Sequence, residues 1–252
     1  MTYQSVLMTM PHALNHRFAT LYDYERVFDL VSISGIRTQK ANLDTLEMAA
    51  LSIHPQPHAK VHGVCFDIPE EELDAYKERE HRYIVKEVLV EEDLNVSDSN
   101  TERKDTNDKS TTMTTAYTVV QNTDENYFRE MPLQEKYERI EQYYNGSLWS
   151  RTDIVPLRQY LVNCVIAANA IDELLETCQN KDKDKEDVKI SDIETSNTAA
   201  RQCIVLKNLM DECFLADGST TIRQYMKNNA ERFPSDIIRD YVNVESKSKS
   251  ML

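Results

Sequence analysis

Apolar residues fall into short unbroken runs in the first part of the chain and into helical stripes in the last. Up to about Val90 the runs are of strand type, Val27 to Ile33 and Val61 to Ile68 among them, punctuated by Gly35, Gly63 and the Pro55/Pro57 pair. One helix interrupts them. It follows Pro69, a residue suited to a first helical turn, and Glu70, Glu71 and Glu72 put negative charge where the helix dipole favours it; the run extends to about Glu80. A further strand is expected from Ala116 to Val120. Beyond it Leu133, Tyr137, Ile140 and Tyr144 recur at helical spacing until Gly146. Leu157 to Cys178 carries Leu161, Val165 and Ala168 on one stripe, and Ala199 to Phe214 and Thr221 to Asn228 read as two more helices. Two segments have no hydrophobic period, Glu91 to Thr115 and Gln179 to Asn197 with its KDKDKED core, and are expected to be solvated insertions. The pattern as a whole is α+β: a small β-rich half with one helix, then a helical half.

Charge narrows the partners. The 252 residues hold 29 Lys+Arg and 43 Asp+Glu, a formal net charge of −14, which repels phosphate backbones and acidic lipid; neither nucleic acid nor a membrane surface is expected as a partner. At 40% hydrophobic residues the chain can still enclose a core. Four glycines are too few for repeated β-turns, and no Gly-rich phosphate cradle is present. The five cysteines, Cys65, Cys164, Cys178, Cys203 and Cys213, are odd in number and lack a C-x-x-C, so a reducing compartment fits best. No run is long and apolar enough to span a bilayer, and the start MTYQSVLMTMP lacks the features of a signal peptide, which reads as a soluble, cytoplasmic protein.

Among the residues that could carry chemistry, Glu80 stands out. At about 100° per residue it lies above Leu73 and Tyr76 on the helix after Pro69, on the face expected to meet the core. Burial there would raise its pKa toward neutrality, as a general acid or base requires. The alternative is a frayed last turn, with Glu80 exposed or paired to Arg79 or Arg82. His54, His58 and His62 recur every fourth residue as zinc ligands on a helix would, but Pro55 and Pro57 forbid that helix, and the segment reads as a loop between strands with no metal site. His81 reads as a surface histidine and Cys65 as a small buried hydrophobe; no G-x-S-x-G elbow is present. Tyr143, Tyr144, Trp149, Leu161 and Val165 read as packed core or as a face for a protein partner.

The stretch VHGVCFDIPEEELDAYKEREHRY resembles the central signature of the γ-glutamylcyclotransferase-like family, including its ChaC-type and AIG2-like relatives. Val61, Gly63, Val64 and Phe66 match that family's V-x-G-V-x-F strand, Glu71, Glu72 and Leu73 its helix, and Glu80 and Tyr83 the acid/base Glu shortly before a Tyr. YERVFDL, Tyr24 to Leu30, is similar to the family's Y-x-R-x-F strand, and AYTVVQNTDENYF, Ala116 to Phe128, to the closing strand and N-x-x-Y turn. The resemblance spans roughly residues 3 to 128 and rests on four motifs in order.

It implies a small mixed β-barrel over residues 1–130, with 91–115 as a polar insertion, and a helical extension over 131–252, with 179–197 as a charged one. It also implies an activity: release of 5-oxoproline from a γ-glutamyl amine, peptide or glutathione, with Glu80 as general acid/base and no cofactor. Tyr3, Gln4, Ser5, Val6 and Leu7 then stand where the family has its Y-G-S-L substrate loop, and Tyr117 and Tyr127 line the pocket. Gln4 replaces the glycine whose backbone would approach the ligand, and almost nothing precedes Tyr3. The second reading is therefore a catalytically inactive member, with a degenerate or truncated loop, that binds another protein through its helical half.

Overall fold

A computed structural model describes residues 10–93, 111–183 and 204–243. Strand β1, Leu14–Val31, and strand β2, Glu47–Asp67, form one long antiparallel pair joined through the short helix α1, Ile33–Arg37. Ser32 caps α1, its Oγ accepting from Gly35 N at 3.1 Å. Gly35 packs closely there: a Cβ would sit 2.9 Å from Leu157 Cδ2, so the leucine tip would have to shift. Helix α2, Glu70–Arg79, leads to β3, Ile84–Asp93, which pairs antiparallel with β4, Thr111–Val120. Helices α3, Asp124–Phe128, and α4, Leu133–Lys136, follow. The two-residue β5, Val155–Pro156, precedes the long α5, Arg158–Lys183; then come α6, Ile204–Asp211, β6, Cys213–Leu215, α7, Ile222–Asn228, and α8, Ser235–Ile237.

The chain is α+β, with a six-stranded mixed sheet in the order β4-β3-β1-β2-β5 and β6 set beside β1. β3 takes one edge of β1 at Ala19 to Leu21, and β6 runs parallel to β1 at Arg26 to Phe28. The barrel expected from the resemblance is not formed: the sheet stays open. Closure needs a continuous ladder between the outer strands. Here β4 reaches β2 by one hydrogen bond beyond its end, Gln121 N to Ile53 O at 2.9 Å. The start of β2 is already occupied by β5, through the Glu47 and Ala49 pairs.

β2 also breaks its own regularity. Tyr22 pairs with Lys60 and Tyr24 with Pro55, so residues 56–59 bulge out opposite Asp23. Pro55 and Pro57 lack the N–H that a ladder needs. Asp23 and His58 both take positive φ, and the His58 N–H donates to Asp23 Oδ1 at 2.9 Å. The loop expected between two strands is thus a bulge inside one strand. A second irregularity falls at Asp29, which is the extra residue between the Phe28–Leu51 and Leu30–Ala50 pairs.

Other expectations shift by a few residues. The polar insertion is shorter than its composition implies, because β3 continues to Asp93 and β4 begins at Thr111; Glu92 is buried and ion-paired with Arg17 at 3.0 Å. The stripe from Leu133 to Tyr144 is α-helical only to Lys136 and widens into a π-type turn, Tyr137–Glu141, closed by Gln142 N to Tyr137 O at 3.1 Å. That wider turn breaks the 3.6-residue register, so Ile140 is buried while Leu133 and Tyr137 stay exposed. After α6 the chain turns into β6 instead of continuing as helix to Phe214.

The main core joins Phe28, Leu30 and Val31 of β1 to Leu161 and Val165 of α5, Leu209 and Met210 of α6, and Trp149. A smaller cluster, Ala19, Leu21, Val61, Val88 and Val90, fills the other end of the sheet. Asp172 fastens α5 to α6, its two oxygens accepting from Val205 N and Leu206 N at 3.0 and 2.9 Å. None of the described helices is long and apolar enough to cross a membrane.

Candidate functional site

Helix α2 starts at Pro69, whose φ of −59° and ψ of 146° make it the cap and not the first helical residue. None of its residues is fully buried, so the apolar stripe expected through Leu73 and Tyr76 is only half covered. Glu80 is the C-cap, its N–H donating to Tyr76 O at 3.0 Å. Its side chain is nonetheless enclosed, at 13% exposure, and Oε1 lies 2.8 Å from a terminal nitrogen of Arg79. Both sequence-based alternatives hold in part: the carboxylate is sheltered, and Arg79 is its partner.

Two tyrosines bracket Glu80. Burial pushes the Tyr76 phenol up to about 12, with the Glu80 charge adding to the shift. Tyr83 is raised further by deeper burial, its hydroxyl donating to Leu51 O at 2.9 Å and its ring meeting Trp149 edge-on at 5.3 Å. Tyr83 thereby pins the segment after Glu80 to β2.

On the far side of the helix end lies a cleft of about 450 Å³, lined by Glu78, His81, Asn126, Tyr127 and Arg139 among others. Glu80 is not one of the lining residues; its neighbours Glu78 and His81 are. Arg139 draws in two carboxylates, Glu78 at 3.4 Å and Glu135 at 2.9 Å. His81 is half-buried and stacks on Tyr127 with ring centroids 5.8 Å apart, and its Nδ1 lies 3.1 Å from the Tyr127 hydroxyl. Burial, then the charges of Arg139 and Arg82, push the His81 imidazole below its ordinary value. Burial also raises Tyr127.

The structure brings Tyr127 against His81, the residue after Glu80 in the chain, and leaves Tyr117 away from both. Tyr117 is exposed on β4, donating to Glu87 Oε2 at 3.4 Å, and does not line the cleft. Tyr3, Gln4, Ser5, Val6 and Leu7 lie outside the described residues. His81, read from sequence as a surface residue, is a wall of the cleft.

A second polar cluster escaped the sequence reading. Asp29 is buried and accepts from Ser52 Oγ and from Gln121 Nε2 at 3.3 Å; His54 Nε2 lies 3.1 Å from Asp29 Oδ2 and 2.8 Å from Ser52 Oγ. The signal was an aspartate inside the apolar run VFDLV, opposite a strand that places Ser52 and His54 on one face. The three spaced histidines do not converge: His54 meets Asp29, His58 sits at the bulge, and His62 stacks on Phe18 and pairs with Thr20. Among the described residues no group of three or more His, Cys, Asp or Glu could hold a metal ion. Cys65 is pushed up to about 11 by burial and by Glu92, which removes thiolate character.

No family model and no curated protein matches the sequence. Among solved structures the chain is similar to a γ-glutamyl cyclotransferase, at 16% identity and a TM-score of 0.36 over 82% of this chain and 92% of that one. It is also similar to an uncharacterized Homo sapiens protein, at 21% and 0.29 over 56% and 83%, and to an Arabidopsis thaliana protein, at 15% and 0.27 over 76% and 87%. Scores this low carry no activity over to this chain, whose site rests on its own geometry.

Proposed function

We propose that the protein is a γ-glutamylcyclotransferase-like enzyme that releases 5-oxoproline from a small γ-glutamyl amine, peptide or glutathione in the cytoplasm. The observation that carries the reading is Glu80: a carboxylate shielded from solvent at a helix end, flanked in the chain by Glu78 and His81 of the cleft wall, at the position where the sequence resembles the family's acid/base. The reaction is intramolecular, so holding the γ-glutamyl group folded supplies much of the acceleration. The α-nitrogen bonds to the γ-carbon and the bond from that carbon to the leaving nitrogen breaks. The α-ammonium loses two protons, one before ring closure and one after it, and Glu80 takes each in turn and passes it to the leaving nitrogen, which departs as an ammonium while 5-oxoproline keeps one N–H. Arg79 fixes the carboxylate's orientation. As the resemblance implies, Tyr3, Gln4, Ser5, Val6 and Leu7 would supply backbone donors to the substrate, and Tyr127 of the cleft wall would contact it; Tyr117 is exposed on β4, outside that cleft.

Glu80→Gln keeps the shape and removes the proton carrier. The expected outcome is an unchanged melting temperature with 5-oxoproline release reduced by about 100-fold or more; unaltered turnover refutes the assignment. One observation favours a second reading, a catalytically silent relative that binds a protein: Glu80 is tied to Arg79 and absent from the cleft wall. That reading predicts no 5-oxoproline from any of the three substrate types with the wild-type chain.

A further inference from the structure

The Tyr127 phenol and the His81 ring form a unit that the acid/base step does not use. The 3.1 Å contact fits either tautomer, the Tyr127 hydroxyl donating to His81 Nδ1 or Nδ1–H donating to the hydroxyl. In the first, on which the proposal rests, the hydroxyl, with no other partner among the described residues, gives its proton to Nδ1. A ring that accepts at Nδ1 carries its own proton on Nε2. No hydrogen bond to Nε2 is made among the described residues, although His81 lines the cleft and follows Glu80 directly in the chain. The stacked Tyr127 ring holds the imidazole plane in place.

We propose that His81 donates its Nε2–H to the carbonyl oxygen of the γ-glutamyl amide, with Tyr127 as the positioning residue that fixes the tautomer. This inference rests on the cyclotransferase reading and adds to it a donor for the reacting carbonyl. When the α-nitrogen adds to the γ-carbon, the carbonyl electron pair moves to oxygen, and a donor fixed in advance lowers that step. When the pair returns, the bond to the leaving nitrogen breaks and the His81 proton stays on Nε2 throughout. A neutral imidazole suits this role, because it donates without giving up its proton, and the groups around the ring keep it neutral. Arg82 and Arg139 oppose protonation, outweighing Glu78 and Glu135, and burial acts in the same direction.

The imidazole ¹⁵N spectrum of the full chain near pH 7 tests the geometry without turnover. The expected result is a His81 ring protonated on Nε2 alone, whose Nε2–H signal moves when 5-oxoproline, with its lactam carbonyl, is added. A ring protonated on Nδ1, a charged ring, or a signal indifferent to 5-oxoproline overturns the proposal. Tyr127→Phe is expected to mix the tautomers. In kinetics, His81→Ala is expected to lower kcat about 100-fold with KM little changed, and His81→Gln, which restores an N–H, to recover part of that loss. Full turnover in His81→Ala overturns the proposal while leaving Glu80 in place. Glu80→Gln should retain the ¹⁵N response to 5-oxoproline, so loss of turnover there without loss of the response separates the two claims.

Discussion

Glu80 and His81 are neighbours in the chain, yet they meet different surroundings because Glu80 ends the helix. Past the cap the backbone no longer follows helical spacing, so one side chain turns back to Arg79 and the other to the cleft. Sequence periodicity left Glu80 either on a covered face or paired to a neighbouring Arg at a frayed end, and it could not place His81, which meets Tyr127, 46 positions later. The phenol of Tyr76, which feels the Glu80 charge, makes an alkaline prediction. Tyr76 has a folded pKa of about 12 against an ordinary 10.0, so the folded state holds the phenol proton more tightly than the unfolded state does. The associated stability is complete below pH 10 and is lost as pH rises from 10 toward 12. Melting temperature followed across that window should fall less steeply in Tyr76→Phe than in the wild type; equal slopes refute the claim.

Among the elements, α6 shows how a short helix is held. Eight residues are marginal alone, and the helix begins on a buried carboxylate from another helix. Asp172→Ala leaves the N–H groups of Val205 and Leu206 without that acceptor and is expected to cost about 2 kcal/mol, read from urea unfolding. A loss below a few tenths would mean that the cap is dispensable. Asp172 was not visible as a cap in the sequence, since it precedes the helix it serves by more than thirty positions. The strands were easier to place but not to join. Val27 to Ile33 and Val61 to Ile68 marked parts of β1 and β2, whereas β6 was hidden because Cys213 to Leu215 continue an apolar helical run and become strand only by lying beside β1.

At the scale of the whole molecule, the sheet and the C-terminal helices share one core. Phe28 and Leu30 of β1 pack in the same cluster as Leu161, Met210 and Met226, and Glu47 of β2 is held by Arg158 and Arg232. Trp149, the chain's only tryptophan, is buried in that cluster and reports on it. Leu161→Ala should therefore remove about 2–5 kcal/mol and shift Trp149 fluorescence and far-ultraviolet dichroism transitions together. Two separated transitions would show that the halves unfold independently.

The sequence by itself determined the α+β class, the helix ending at Glu80 and the α5 stripe of Leu161, Val165 and Ala168, because each depends on residues within a few turns of one another. Tertiary structure alone decided that the sheet stays open, that Asp29 gathers Ser52 and His54, and that His81 faces Tyr127. Those outcomes depend on which distant segments fill an edge or supply a hydrogen-bond partner, and no local period encodes a partner dozens of residues away.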